Sequence, residues 1–194
     1  MKIGILGWGS LIWNPRNLRT DGIWRPDGPT LPIEFSGVSS NGHLTLVIDE
    51  VYGVLVHTQR TVSRLKSLEK AIEDLRRREG RLVKTEQIGF LTKRDEQRSS
   101  SGQETHRCRV ESILPELRSW LNRSDCDAVI WTDLEPNFEE RTKKPFSVEN
   151  AVAYLRNLNG AAREKAEEYL RKAPSQTETG VRQKARSVLG WTNL

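Results

Sequence analysis

Hydrophobic and polar positions divide this chain into a strand-rich first half and a helix-rich end. The apolar run Ile3-Gly4-Ile5-Leu6 opens it and reads as a buried strand. Residues 31–35, 43–48, 51–56 and 82–91 follow as further strands, with Asn41-Gly42 supplying a tight hairpin turn between two of them. Strands at this spacing predict a curled or barrel-like sheet. Residues 109–113 and 127–132 add two more, and the polar, serine-rich stretch 95–104 between them and the early strands reads as a loop. Three helices close the chain. Ser147 caps the first, which runs through Val152 and Leu155 to Leu158 and stops at Asn159-Gly160. Residues 161–172 are rich in helix formers and end before Pro174. Residues 179–189 form the third, ahead of Gly190-Trp191. The expected fold class is α+β: a small mixed or antiparallel β-barrel with peripheral helices, over residues 1–140, and a C-terminal helical extension over 141–194.

One helix in the middle carries an anomaly. Thr61 is a suitable N-cap for a segment with apolar residues Val62, Leu65, Leu68, Ile72 and Leu75, spaced as one helical face. The same stripe, continued by four residues, lands on Glu79, just before Gly80. A carboxylate there is mildly disfavoured by the helix dipole, by about 0.3–1 kcal/mol. Either the helix frays and Glu79 is exposed, or the acid is placed on the buried face for a purpose. Arg76, Arg77 and Arg78 precede it, and at least two of them must face solvent.

The turn after the first strand is the second candidate. Gly7-Trp8-Gly9-Ser10-Leu11 has two glycines that permit positive φ and leave backbone N–H groups uncovered. Successive uncovered amides can form a donor nest for a carboxylate or phosphate. A tight turn without ligand fits the residues equally well. Ile12 stands where a dinucleotide fingerprint has its third glycine, so that motif is absent.

Composition narrows the partners. The 194 residues carry 31 basic and 26 acidic side chains, a net charge of +5, which favours small anions without marking a nucleic-acid binder. The six tryptophans are scattered rather than interleaved with basic residues, which argues against a stacking platform for single strands. No run is apolar and long enough to span a membrane, and the N-terminus lacks a secretory pattern. Cys108 and Cys126 are too few for a disulfide framework. A cytoplasmic protein with reduced cysteines is expected.

These motifs, taken in order, resemble the gamma-glutamylcyclotransferase-like family, including its ChaC-type and AIG2-like members. Trp8-Gly9-Ser10-Leu11, continued by Ile12-Trp13-Asn14-Pro15, is similar to the family's Tyr-Gly-Ser-Leu turn. Phe35 and Ser36 lie on a strand like its early barrel strands. Val51-Tyr52-Gly53-Val54-Leu55-Val56 looks like its Val-Trp-Gly-Val strand. Leu75-Arg76-Arg77-Arg78-Glu79-Gly80 resembles the helix end that bears its acidic residue. The likeness spans residues 3–91.

The resemblance implies a cofactor-independent, metal-free lyase-type transfer. The free α-amine of a γ-glutamyl group attacks its own side-chain carbonyl, releasing 5-oxoproline and an amine, amino acid or peptide, as in glutathione metabolism. By position Glu79 would be the general base, and Gly7, Trp8, Gly9, Ser10 and Leu11 would hold the γ-glutamyl moiety. Burial of a glutamate raises its basicity towards what an α-ammonium requires. Two departures stand out: Trp8 replaces the family's tyrosine, and Phe90 after Gly89 lacks a hydroxyl. They leave a second reading open, a non-catalytic module of the same fold that binds a γ-glutamyl group or another small anion. A third is an amide hydrolase in which Asp133 or Glu135 faces Glu79. His43, His57 and His106 have no metal-ligand spacing with the cysteines, and Ser10 lacks the setting of a nucleophile.

Overall fold

The N-terminal apolar run folds as its sequence predicts, into a strand buried at all five positions. The computed structural model describes residues 1–93 and 104–192, so all but the last residue of the predicted loop 95–104 lies outside the described residues. The described elements are, in order, β1 (Ile3–Gly7), β2 (Thr30–Val38), β3 (Leu44–Ile48), β4 (Val54–His57), β5 (Gln59–Val62), α1 (Leu68–Glu79), β6 (Ile88–Thr92), β7 (His106–Arg107), α2 (Leu114–Arg123), β8 (Ala128–Thr132), α3 (Phe138–Thr142), α4 (Val148–Asn157), α5 (Gly160–Lys172) and α6 (Gly180–Leu189). The class is α+β, with two separate sheets. Their orders are β5-β1-β8-β6-β7 and β3-β2-β4. Among the described residues neither sheet closes, so the expected barrel is replaced by two open sheets. Strand β1 takes its neighbours from β5 and β8, while β2, β3 and β4 pair among themselves, so no continuous ring forms.

The chain forms two compact units that interleave in sequence. The first comprises Met1–Gly7, Asn14–Thr30 and His57–Asp133, and holds the five-stranded sheet. There β1 runs parallel to β8 and antiparallel to β5, and β6 runs antiparallel to β8 and β7. The uniformly buried β1 and β6 explain why their sequences are unbroken apolar runs rather than alternations. Helix α1 packs on β6 and β8 and buries Ala71, Ile72 and Leu75. Full burial of a side chain such as Leu75 stabilises by about 1.5–3 kcal/mol.

Several boundaries differ from the sequence expectation. Helix α1 begins at Leu68, where the Ser67 hydroxyl accepts from the Lys70 amide. Thr61 and Val62 belong to β5, and the Thr61 hydroxyl donates to Asp21. The stripe therefore reduces to Leu68, Ile72 and Leu75, yet it still ends at Glu79. The stretch 82–91 becomes a turn and a 3-10 segment at Thr85–Gln87 before β6 starts. There the Gln87 side chain accepts from the Lys84 amide and stops strand pairing. The stretch 109–113 is not a strand. A 3-10 turn at Glu111–Ile113 leads into α2, with Pro115 in its first turn, where its missing N–H costs nothing.

The second unit comprises Trp8–Trp13, Leu31–Val56 and Leu134–Leu194. Its sheet contains the predicted hairpin: Gly42 takes φ +83° between β2 and β3, and the Ser39 amide donates to the His43 carbonyl. Strand β4 starts later than expected, because the Asp49 carboxylate accepts from the Val51 and Tyr52 amides and turns that stretch. Ser147 caps α4 as predicted, and Thr179 caps α6. Gly160 opens α5 rather than ending α4, whose C-cap is Leu158. No helix among the described residues is long and apolar enough to cross a membrane.

Candidate functional site

Glu79 is the last residue of α1, and Gly80 ends the helix at φ +119° with its amide on the Arg76 carbonyl. The carboxylate does not point to bulk solvent: the side chain is 15 % exposed. Thr132 Oγ1 donates to Glu79 Oε1 at 3.2 Å, and Arg78 Nη1 donates to the same oxygen at 2.9 Å. Arg78 is itself buried and donates through Nη2 to the Asn14 carbonyl at 2.7 Å. Its own carbonyl accepts from Arg16 Nη1. Of the three consecutive arginines, Arg77 faces solvent, Arg76 pairs with Glu73 and the Val83 carbonyl, and Arg78 turns inward. Of this run, expected to send at least two side chains to solvent, Arg77 is exposed, Arg76 half-buried and Arg78 buried. Donation to the Glu79 carboxylate and the Asn14 carbonyl offsets part of the cost of burying this guanidinium.

The sheet fixes where this carboxylate stands. Thr132 ends β8, and β8 is parallel to β1 with Ile3 opposite Ala128 and Ile5 opposite Ile130. Carried two residues further, that register sets Gly7 level with Thr132. Glu79 is thereby held at the C-terminal ends of two adjacent parallel strands, the edge at which open sheets with parallel strands bind ligands.

The turn that follows β1 is built differently from expectation. Among the described residues positive-φ glycines are Gly22, Gly42, Gly80, Gly160 and Gly190, so Gly7 and Gly9 owe nothing to a left-handed conformation. Gly9 is required for space: a Cβ there would lie 2.4 Å from the Tyr169 hydroxyl. The Ser10 amide donates to that hydroxyl at 3.3 Å, and the Ile12 amide closes the turn on the Gly9 carbonyl. Trp8 is buried, its indole N–H donating to the Leu46 carbonyl and its carbonyl accepting from Thr177. Leu11 is buried as well. The Trp8 and Leu11 side chains of the turn thus serve as packing.

The other sequence candidates go elsewhere. The Asp133 carboxylate, almost fully buried, accepts from the Arg109 amide at 2.6 Å, with Arg109 Nε 4.0 Å away. Glu135 is exposed. His57 pairs with Thr30, and burial, aided by Lys165, holds the His43 imidazole below its usual value. Among the described residues no three His, Cys, Asp or Glu side chains cluster as a metal site. A cleft of about 570 Å³ on the first unit is lined by Asp27, His57, Arg60, Glu116 and Trp120 and contains none of the predicted site residues. Its most buried cation, Arg60, is already clamped by Asp27 and Asp125.

Sequence reasoning missed Arg78, Thr132 and Tyr169. Thr132 ends a predicted strand, and nothing local distinguishes it from any strand-ending threonine. Tyr169 reads only as one more residue near the buried Ala166 and Leu170 of α5. No family model, no curated protein and no solved structure matches the chain.

Proposed function

We propose that this protein is a γ-glutamyl cyclotransferase of the gamma-glutamylcyclotransferase-like fold, acting on a small γ-glutamyl peptide or amine. The observation that supports this reading is the placement of Glu79: a sequestered carboxylate at the last residue of a helix, held by Thr132 and Arg78 at the C-terminal end of β8. In the proposed reaction Glu79 takes a proton from the substrate α-ammonium. The freed amine attacks the γ-carbonyl carbon, forming the ring C–N bond. The bond to the leaving amine then breaks as that amine receives the proton from Glu79, and the second proton of the ring nitrogen passes to the released amine, which departs as an ammonium. A positioned base of this kind contributes about 10²–10⁴ in rate. Backbone amides of the turn bind the glutamyl carboxylate or the developing oxyanion, and ring-closing geometry accounts for much of the rest.

The test is mass-spectrometric detection of 5-oxoproline from a panel of γ-glutamyl peptides and amines, with Glu79→Gln alongside. Turnover by the wild type and a loss of at least about 10²-fold in the variant is expected. Equal turnover by both proteins refutes Glu79 as the base. The second reading is a binding module of the same fold without turnover. Binding of a panel member with no product from either protein is its signature. The Asp133 carboxylate, which accepts from the Arg109 amide, lends no support to the hydrolase reading.

A further inference from the structure

Within the first unit, the end of α1 that carries Glu79 is tied to a strained residue, Arg16. Arg16 takes φ +52°, a left-handed conformation that suits glycine and is uncommon for a long side chain. The other described non-glycine residue at positive φ, Lys143, is the C-cap of α3, a usual place for that conformation. Arg16 instead stands in a turn closed by the Leu18 amide on the Pro15 carbonyl at 3.1 Å. That turn is pinned along α1 from several sides. Arg78 Nη2 donates to the Asn14 carbonyl at 2.7 Å, and Arg16 Nη1 donates to the Arg78 carbonyl at 3.1 Å. The Arg19 amide donates to the buried Asp74 carboxylate at 2.8 Å. Strain of this kind persists only where the surroundings over-determine it, and it gathers at functional sites.

The side chain held this way is a cation with capacity left. Arg16 is exposed, one of its N–H groups lies on the Arg78 carbonyl, and it makes no ion pair among the described residues. A guanidinium has five N–H donors, in a fork that matches a carboxylate. Arg78 already faces the Glu79 carboxylate at 2.9 Å, so the charges of that pair balance. A ligand carboxylate brought to this helix end adds an anion, where the helix dipole disfavours one. Arg16 is the cation tied to that end without a counter-charge.

We propose that Arg16 binds a carboxylate of the γ-glutamyl substrate, its turn held left-handed so that the guanidinium stands at the Glu79 end of α1. The proposal rests on the reading of Glu79 as the base of γ-glutamyl transfer. A γ-glutamyl peptide carries an α-carboxylate and a second carboxylate at the C-terminus of its leaving group. A γ-glutamyl amine carries the first alone. Both offer Arg16 the same chemistry, a charge-assisted pair of hydrogen bonds.

Two variants of the full chain test this. Arg16→Gln removes the charge and keeps an unbranched side chain, and Arg16→Gly removes the side chain and relieves the backbone. Binding of glutathione and of γ-glutamyl ethylamide is measured by calorimetry in a Glu79→Gln background that prevents turnover. Both variants are expected to bind glutathione roughly tenfold or more weakly than their parent. Arg16→Gly is expected to melt no lower than the parent, since glycine carries no left-handed strain. A loss shared by the ethylamide assigns the α-carboxylate to Arg16, and a loss confined to glutathione assigns the C-terminal one. Unchanged affinity in either variant overturns the proposal and leaves the Glu79 reading in place. A lower Tm in Arg16→Gly with unchanged affinity makes Arg16 a helix cap instead. If the parent binds neither ligand and the wild type releases no 5-oxoproline from them, the cyclotransferase reading falls and this assignment with it.

Discussion

Gly89 gives the sharpest quantitative test of the architecture beneath the candidate site. It lies opposite Trp131 in the antiparallel register of β6 and β8, and a Cβ at Gly89 would fall 2.2 Å from Cε2, 2.4 Å from Nε1 and 2.5 Å from Cζ2 of that indole. Carbon atoms pack best at about 3.5–4.0 Å, so Gly89→Ala requires the ring to retreat by roughly 1 Å or more. Trp131 is fully buried and has little room to move. Overpacking of this kind costs about 1–3 kcal/mol, and the overlap here belongs at the upper end. Replacing a strand glycine returns about 0.5–1 kcal/mol through backbone entropy. The net expectation is a loss of about 2 kcal/mol, or roughly 4–8 °C in Tm for a chain of this length. Urea denaturation followed by tryptophan fluorescence measures it. Trp131→Leu in the same chain removes the obstructing ring, so the double variant should be more stable than the sum of the single losses by at least about 1 kcal/mol. An alanine variant within about 0.5 kcal/mol of wild type, or strictly additive losses, would show that the indole does not lie over Gly89.

Two further outcomes are expected. Burial pushes the Glu34 carboxyl above its usual value of 4.5, against bonds from Thr179 and the Phe35, Val181 and Gly180 amides at the start of α6. The folded state thus holds this proton at a higher pH than the unfolded chain. Its contribution to stability is fully present below 4.5 and is lost as pH rises through the raised folded value. Glu34→Gln should therefore remove a decline in stability that the wild type shows on going from pH 4 upward, read from urea midpoints across about pH 4–8; a midpoint profile identical to wild type counts against it. Burial likewise raises the Cys108 thiol to about 12 and the Cys126 thiol above its usual value. Both should react slowly with a disulfide reagent at pH 8 in the folded protein and rapidly in urea, since the thiolate is the reactive form. Prompt labelling of either cysteine under native conditions would contradict the packing around it.

The candidate base was legible in the sequence through one geometric fact that survived a wrong boundary. The apolar stripe ends at Glu79 whether the helix begins at Thr61 or at Leu68, because its period is fixed locally by Leu68, Ile72 and Leu75. The turn after β1 was legible as a place, and the reason for its glycine was not. Gly9 is needed for space against Tyr169 rather than for a positive φ, and that neighbour lies 160 residues away in sequence, as the separation of 159 at Ser10 makes plain. Arg78 stood in a run expected to face solvent at two or more positions, and contacts with the Asn14 carbonyl and the Glu79 carboxylate turn it inward.

The sequence by itself determined the elements whose cause is local: the buried β1 run, the Asn41-Gly42 hairpin, the Ser147 cap, and the acid at the end of α1. Periodicity, capping and turn chemistry act over a few residues, so a few residues suffice to reveal them. Tertiary structure alone decided which strands became neighbours. It set β1 beside β8, so that Thr132 met Glu79, and it gathered β2, β3 and β4 into a sheet of their own instead of a barrel. Strand pairing is non-directional in its hydrophobic driving force, and several pairings bury similar apolar area. The choice among them rests on the summed packing of distant side chains, which no local stretch of sequence encodes.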